Sequence, residues 1–324
     1  MLPPLVSETP QDMAARDLQQ PGRPLVSIVT ATYNASHLLR WAIKSVLQST
    51  LSDWELIVVG DHCTDDTERV VAAFDDPRIR FYNLEKNSGQ QATPNNFGTG
   101  KARGKYLCFL NQDDMFLPDH LAGMVRELQH RGADIICARY AVIEPFPAQC
   151  PAAGLVVNNG GPVFADSDYH PCRWYLASSW FMLTSTALEV GAWRLESQTV
   201  VTPSQEWLFR ASRQGKRIAC SEGISLLVLY SGARKGAYRD RQFSEHEHVY
   251  RLMAAADFVP TITASMTLRE RELERTWPRR LRRLYACVLE RLLCRLGIHP
   301  LAPEMLLRYG GRGGFVRKWK QMTR

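Results

Sequence analysis

The stretch FLNQDDMFLPDHL, residues 109–121, decides how this chain is read. An apolar run that begins at Tyr106 ends in it, and an apolar-periodic segment follows Pro118. Between them stand two adjacent carboxylates, Asp113 and Asp114, behind the amides Asn111 and Gln112. A buried strand, an acidic turn and a helix make one unit of an α/β protein, where ligands bind beyond the carboxyl ends of the strands. Two neighbouring like charges repel unless a cation lies between them and an anionic ligand.

The same alternation extends in both directions. VSIVTATY (26–33), WELIVVG (54–60), RIRFYNL (78–84), KYLCFL (105–110) and ADIICARY (133–140) read as strands. SHLLRWAIKSVLQS (36–49), DDTERVVAAF (65–74), a polar stretch across QATPNNFGTGKA and PDHLAGMVRELQHR (118–131) read as helices, the last with Pro118 in its first turn. Strands apolar throughout predict a mostly parallel sheet with helices on both faces. Four polar segments then fall at the strand ends: ATYN, GDHCTDDT, EKNSGQQ and NQDD. Neither a GxGxxG nor a GxxxxGK[ST] motif occurs, so no glycine cradle is available for a phosphate. A divalent cation, Mn2+ or Mg2+, held by Asp113 or Asp114 would neutralise a diphosphate instead.

After Ala141 the pattern loosens. Residues 142–172 are rich in Pro, Gly, Asp and Asn and read as a long functional loop. A strand and a short helix follow over 178–193, then a helix leading into a strand over 203–219, and a basic, glycine-containing loop over 231–241.

At 324 residues and 45% hydrophobic the chain can bury a full core. Residues 1–23 carry early acids and no continuous apolar core, and are expected to be a disordered polar leader rather than a signal peptide. The eight cysteines are scattered without a metal-like pairing, as expected of reduced thiols in a cytoplasmic protein. The net charge of +7 is concentrated: from Ala264 onward 15 Lys and Arg face 5 Asp and Glu, which leaves the rest slightly acidic.

Read in order, VSIVTATYNASHLLRWAIKSVLQSTLSDWELIVVGDHCTDDT and NSGQQATPNNFGTGKARGKYLCFLNQDDMFLPDHL resemble the family 2 inverting glycosyltransferases of GT-A fold, closely over about 25–140 and loosely through 178–240. The resemblance implies a Rossmann-like sheet. It implies transfer of a sugar, with inversion, from a UDP- or dTDP-type donor to a saccharide or glycolipid acceptor in bacterial cell-surface polysaccharide or glycolipid synthesis. It also implies a domain over 24–262, with a nucleotide-sugar part to 140 and an acceptor part from 141, followed by a basic helical appendage over 263–324.

The family's roles carry over residue by residue. Thr32 and Tyr33 match the segment beside the nucleotide base, and Asn87 and Gly89 a turn near the nucleotide. The family's D-D-G-S reads Gly60-Asp61-His62-Cys63, so only Asp61 remains to accept a base imide hydrogen. The family's D-x-D reads Asn111-Gln112-Asp113, which makes Asp113 the metal ligand, beside Asp114, and leaves Asn111 a ribose hydroxyl. Arg234 and Lys235 would steady the diphosphate. Glu206 is the only carboxylate in the segment matching the family's E-D-x-x-L-x-x-R, and is the expected general base, although the family aspartate aligns with Ser204 in one register.

Plainer readings stand beside these. Asp113 and Asp114 could form a solvated turn before a helix, Asp61 an ordinary turn, and Glu206 a first-turn acid facing a helix dipole. Asp65 reads as the N-cap of the second helix. His246 and His248, two apart on a helix, diverge and are expected at the surface. Trp174, Tyr175 and Trp180 could line an acceptor site or fill the core. A nucleotide-sugar-binding pseudoenzyme is the alternative that the missing acids at 60 and 111 suggest. RYGGRGGF (308–315) alone does not make a nucleic-acid module. Finally, LRRLYACVLERLLCRL (281–296) carries a leucine stripe among arginines, with Trp277, Phe315 and Trp319 nearby. Such a helix is too short and charged to span a bilayer. It either packs on the domain or lies on an anionic membrane surface, on the inner face of the plasma membrane.

Overall fold

The computed structural model describes residues 22–144, 157–160, 168–229, 245–274, 290–314 and 317–318. The expected leader up to Gln20, Arg234, Lys235, Trp277, Phe315, Trp319 and the stripe up to Leu289 lie outside the described residues, as does most of the loop after Ala141.

The elements follow the alternation. They are β1 (Val26–Thr32), α1 (Ser36–Leu47), β2 (Trp54–Gly60), α2 (Thr67–Ala72), β3 (Ile79–Asn83), α3 (Ala92–Lys101), β4 (Tyr106–Phe109), β5 (Asp114–Phe116), α4 (His120–Arg131), β6 (Ile135–Ile143) and β7 (Val157–Gly160). Then come β8 (Trp180–Leu183), α5 (Thr184–Val190), α6 (Pro203–Arg213), β9 (Ile218–Leu229), α7 (Glu245–Leu252), α8 (Phe258–Glu274) and α9 (Ala302–Tyr309). Every residue of β2 and β4 is buried, as a strand covered on both faces requires. α1 turns Leu38, Leu39, Ala42, Ile43 and Val46 inward at helical spacing. α4 ends on Gly132 in the left-handed region (φ 56°). α6 starts with Pro203 in its first turn, after Thr202, whose hydroxyl accepts from the Gln205 amide.

The described strands form one sheet, ordered β3-β2-β1-β4-β8-β6-β9-β5, with β7 on β6. From β3 to β4 all neighbours are parallel, as expected. Beyond β4 the sheet is mixed: β8 runs antiparallel to both β4 and β6, and β5 to β9, while β6 and β9 are parallel. The expectation of a mostly parallel sheet therefore holds for the first half only. Two short strands, β5 and β7, lie in segments expected to be loop.

Both sheet faces are covered. One core joins β1, β2, β4 and β6 to α1 and α4. The other is aromatic: Trp180 stacks on Trp207 (centroids 5.4 Å) and meets Trp193 and Phe109 edge-on or tilted. Tyr175 and Trp180 are thus core residues. α8 packs Phe258, Ile262 and Met266 onto a third cluster with Met115 and Leu227. The expected domain break between 262 and 263 falls inside this helix, so the domain runs on at least through Met266.

Candidate active site

The ends of β1, β2 and β4 meet at one edge. Thr32 closes β1, and its hydroxyl donates to Gln112 Oε1 at 2.7 Å. The Tyr33 amide donates to the same oxygen at 3.0 Å. Gln112, the middle residue of the expected metal motif, therefore ties the turn after β4 to the end of β1. The Tyr33 ring is left half-exposed at the rim. Asn34 takes a left-handed conformation (φ 47°) and accepts from the amides of Thr64 and Asp65.

Asp61 follows β2 and is buried. Its Oδ1 accepts from the Ser88 amide and hydroxyl, both at 2.9 Å, and its Oδ2 from the Gly89 amide at 2.8 Å. Its carbonyl accepts from Asn87 Nδ2 at 3.0 Å. The predicted trio Asp61, Asn87 and Gly89 thus comes together, with Asp61 holding the turn in place. Gly89 supplies the left-handed backbone there (φ 67°). At most one acceptor position on Oδ2 is left for a base imide.

The glycine at 60 has a physical reason. A Cβ there would lie 2.6 Å from Asn83 Oδ1 and 3.0 Å from Cys63 Sγ. Asn83, on the neighbouring strand, fills that space and bonds Cys63 through both its amide and its carbonyl, at 2.8 and 2.9 Å. An amide reaching across from β3 occupies the room an aspartate side chain would need.

The acidic turn departs from expectation in one respect. Asp114 is the first residue of β5 and is buried, not presented to a ligand. Its Oδ2 accepts from Ser178 Oγ at 2.5 Å and Asn111 Nδ2 at 2.8 Å. Burial, and then the charge of Asp113, push its pKa well above the usual carboxylate range. Asp114 is a structural acid and is withdrawn as a metal ligand. Asn111 is consumed in the same network, since its Oδ1 accepts from Gln91 Nε2 at 2.7 Å. Its side chain bridges Gln91 and Asp114.

Asp113 is partly buried, and its carbonyl oxygen accepts from His246 Nε2 at 2.8 Å. His246, on α7, is buried rather than at the surface, and burial lowers its pKa to about 4. It is therefore a neutral imidazole, with its proton on Nε2. His248 is exposed as expected. Asp65 does not cap α2 as a true N-cap; it precedes Asp66 and accepts from the Thr67 amide and hydroxyl.

Glu206 lies in the first turn of α6, and both its carboxylate oxygens are engaged. Oε1 is 3.0 Å from Arg210 Nε and 3.2 Å from Arg194 Nη1, and Oε2 is 3.2 Å from Arg210 Nη2. Arg210 also donates to the carbonyls of Val190 and Ala192. This clamp joins α5 to α6 and engages three of the four acceptor positions of the carboxylate. Glu206, the expected base, is thus held in ion pairs with Arg210 and Arg194, with one acceptor position left on Oε2. Ser204, the alternative match, places its hydroxyl 3.0 Å from Thr202 Oγ1.

Among the described residues no group of three His, Cys, Asp or Glu side chains could hold a metal. With Asn111 and Asp114 engaged, the fit is limited to the Asp113 carboxylate. Mg2+-type ions are commonly held by one or two carboxylates together with substrate phosphates and water, so that donor set fits an ion arriving with a diphosphate. Three participants escaped the sequence reading. Gln91 lies in a polar run and Ser178 in a largely apolar one, with nothing to mark either, and His246 was legible only as one of a pair.

Comparisons with known proteins agree with this architecture. The chain is 32% identical over 123 residues to the putative teichuronic acid biosynthesis glycosyltransferase TuaG of Bacillus subtilis, covering 37% of this chain and 48% of that one. It is 32% identical over 119 residues to the UDP-Glc:alpha-D-GlcNAc-diphosphoundecaprenol beta-1,3-glucosyltransferase WfgD of Escherichia coli, covering 37% and 47%. The chain thus spans about half the length of these curated relatives. Among solved structures, the mannosyltransferase PcManGT from Pyrobaculum calidifontis, in complex with GDP-Man and Mn2+, superposes with a TM-score of 0.52 at 16% identity over 91% of this chain and 92% of that one, which shows a shared fold. The model of the family described as Glycosyl transferase family 2 matches residues 27–170, and this part of the chain is a family 2 glycosyltransferase domain.

Proposed function

We propose that the protein transfers a sugar from a nucleotide-diphosphate sugar, of UDP or dTDP type, to a hydroxyl of a saccharide or glycolipid acceptor, with inversion. Its place would be bacterial cell-surface polysaccharide or glycolipid synthesis on the cytoplasmic side of the membrane. The observation that carries this reading is the convergence, at one sheet edge, of Tyr33, the Asp61-held turn and Asp113. Tyr33 offers a half-exposed ring to a nucleotide base, and Asp61 one remaining acceptor position to an imide N–H. Gln112 ties Thr32 and Tyr33, at the end of β1, to the turn that carries Asp113. Mn2+ or Mg2+ bound at Asp113 would neutralise the charge that grows on the departing diphosphate. His246 holds the Asp113 backbone from below. The relatives whose names specify glycosyl transfer support the reaction class, and the Mn2+ named with PcManGT supports the ion.

The clamp on Glu206 favours a second reading, in which the site binds a nucleotide sugar without turning it over. One experiment separates the two. Purified protein is incubated with a panel of sugar nucleotides, Mn2+ and candidate acceptors, and nucleoside diphosphate release is followed beside direct donor binding. A transferase releases diphosphate, loses that activity by orders of magnitude in EDTA or as Asp113→Ala, and gives a product of inverted anomeric configuration. Saturable binding with no release under any acceptor establishes the binding protein.

A further inference from the structure

The C-terminal described segment docks on the domain through several contacts. The ring of His299 meets Phe209 edge-on (centroids 4.9 Å), and Ala302 and Met305 pack with Val201. Arg213 Nη1 donates to the Cys294 carbonyl at 2.7 Å, Cys172 Sγ to Glu290 at 3.2 Å, and the Gly313 amide to the Thr199 carbonyl at 3.1 Å. This inward face satisfies the helix over 290–295 and α9 against the domain.

The outward face is apolar where solvent would favour polar side chains. Leu292 is 55% exposed, Leu296 65% and Leu307 89%, with Ile298 and Leu306 also exposed. Of the ten large apolar side chains left exposed among the described residues, five lie between 292 and 307. That concentration, within one short stretch, is not the scatter of an ordinary surface. Leu292 and Leu296 are one helical turn apart and share a face. In the same stretch Arg291, Arg295, Arg308, Arg312, Arg317 and Lys318 are exposed. The two acids of this stretch are Glu290, which is buried, and Glu304, which pairs with Arg308.

We infer that this exposed, arginine-rich stretch, with Leu292, Leu296 and Leu307 as its apolar anchors, is a docking surface for an anionic lipid bilayer. Leucines at the tip enter the headgroup boundary while the guanidinium groups meet lipid phosphates, an arrangement that suits a face both apolar and cationic. A protein partner would also cover the leucines, but the surplus of arginines selects an extended anionic surface. No described helix is long and apolar enough to cross a membrane, so the contact is interfacial. The inference is independent of the proposed reaction, since binding to lipid needs neither donor nor acceptor.

The test is flotation of the full chain with vesicles of phosphatidylcholine alone or with phosphatidylglycerol, at moderate salt. The expected result is binding to the anionic vesicles and weak binding to the neutral ones. Leu292→Gln/Leu296→Gln/Leu307→Gln should lower the bound fraction about tenfold or more while leaving the melting temperature unchanged, because the three side chains contribute little to the folded core. Arg291→Gln/Arg295→Gln should weaken binding to anionic vesicles alone. Failure of the wild-type chain to float, or equal flotation of the leucine variant, overturns the proposal. Light scattering that finds a dimer lost in the leucine variant, without vesicle binding, overturns it in favour of a contact between copies of the chain.

Discussion

Asn111 donates its amide to Asp114, and an acid at 111 would set a second carboxyl group against a buried one. The departure from the family's first acid is therefore coupled to an acid three residues on. Asn111→Asp should destabilise the fold by about 2 kcal/mol at neutral pH, read from urea melts, because it replaces the amide donor to a buried acid with a second acceptor. Unchanged stability would mean that the turn rearranges freely. Glu206 makes a second residue-scale prediction. Glu206→Gln keeps the shape and loses the charge that holds Arg210 and Arg194. A loss of about 1–3 kcal/mol in stability is expected, with turnover falling only as folding does. A fall in kcat of several orders at unchanged stability would restore Glu206 as the base.

His299 extends the argument to an element. It is buried against Phe209, its Nδ1 accepts from the Leu301 amide, and burial lowers its pKa to about 4. In the unfolded or undocked segment a histidine titrates near 6.5. The neutral ring thus contributes docking stability that is complete above about pH 6.5 and is lost as pH falls toward about 4. Protection factors of the α9 amides, which divide out the intrinsic pH dependence of exchange, should fall between about pH 7 and pH 5, and His299→Phe should flatten that dependence. Elements such as β1, β2 and β4 were legible in the sequence because strands buried on both faces read as unbroken apolar runs. β5 was not, since three residues beginning with an aspartate carry no period, and VNNG of β7 carries none either. The same division governs the site. Asp61 and Asp113 could be placed because strand ends could be placed. The roles of Asp114, Ser178 and His246 depend on contacts across most of the domain, such as the bond from Ser178 to Asp114, which local pattern does not encode.

At the scale of the whole molecule, nucleotide and ion should stabilise the protein together. Binding to the native state alone adds RT ln(1 + [L]/Kd), about 2.7 kcal/mol at a hundredfold excess over Kd. UDP with Mn2+ should therefore raise the melting temperature more than either alone, and Asp113→Ala should remove the Mn2+-dependent increment while leaving that of UDP. An equal shift for the variant would place the ion elsewhere. The described sheet has its own consequence. β8 pairs with β4 on one side and β6 on the other, and the expected boundary at 140/141 cuts through β6 itself. The two halves of the domain are therefore not cassettes that recombination could exchange between lineages. A crossover at that point would sever a strand and strand its partners. New specificity in such a chain has to arise by substitution in place or by growth of the surface connections, which lengthens loops while the sheet is inherited whole.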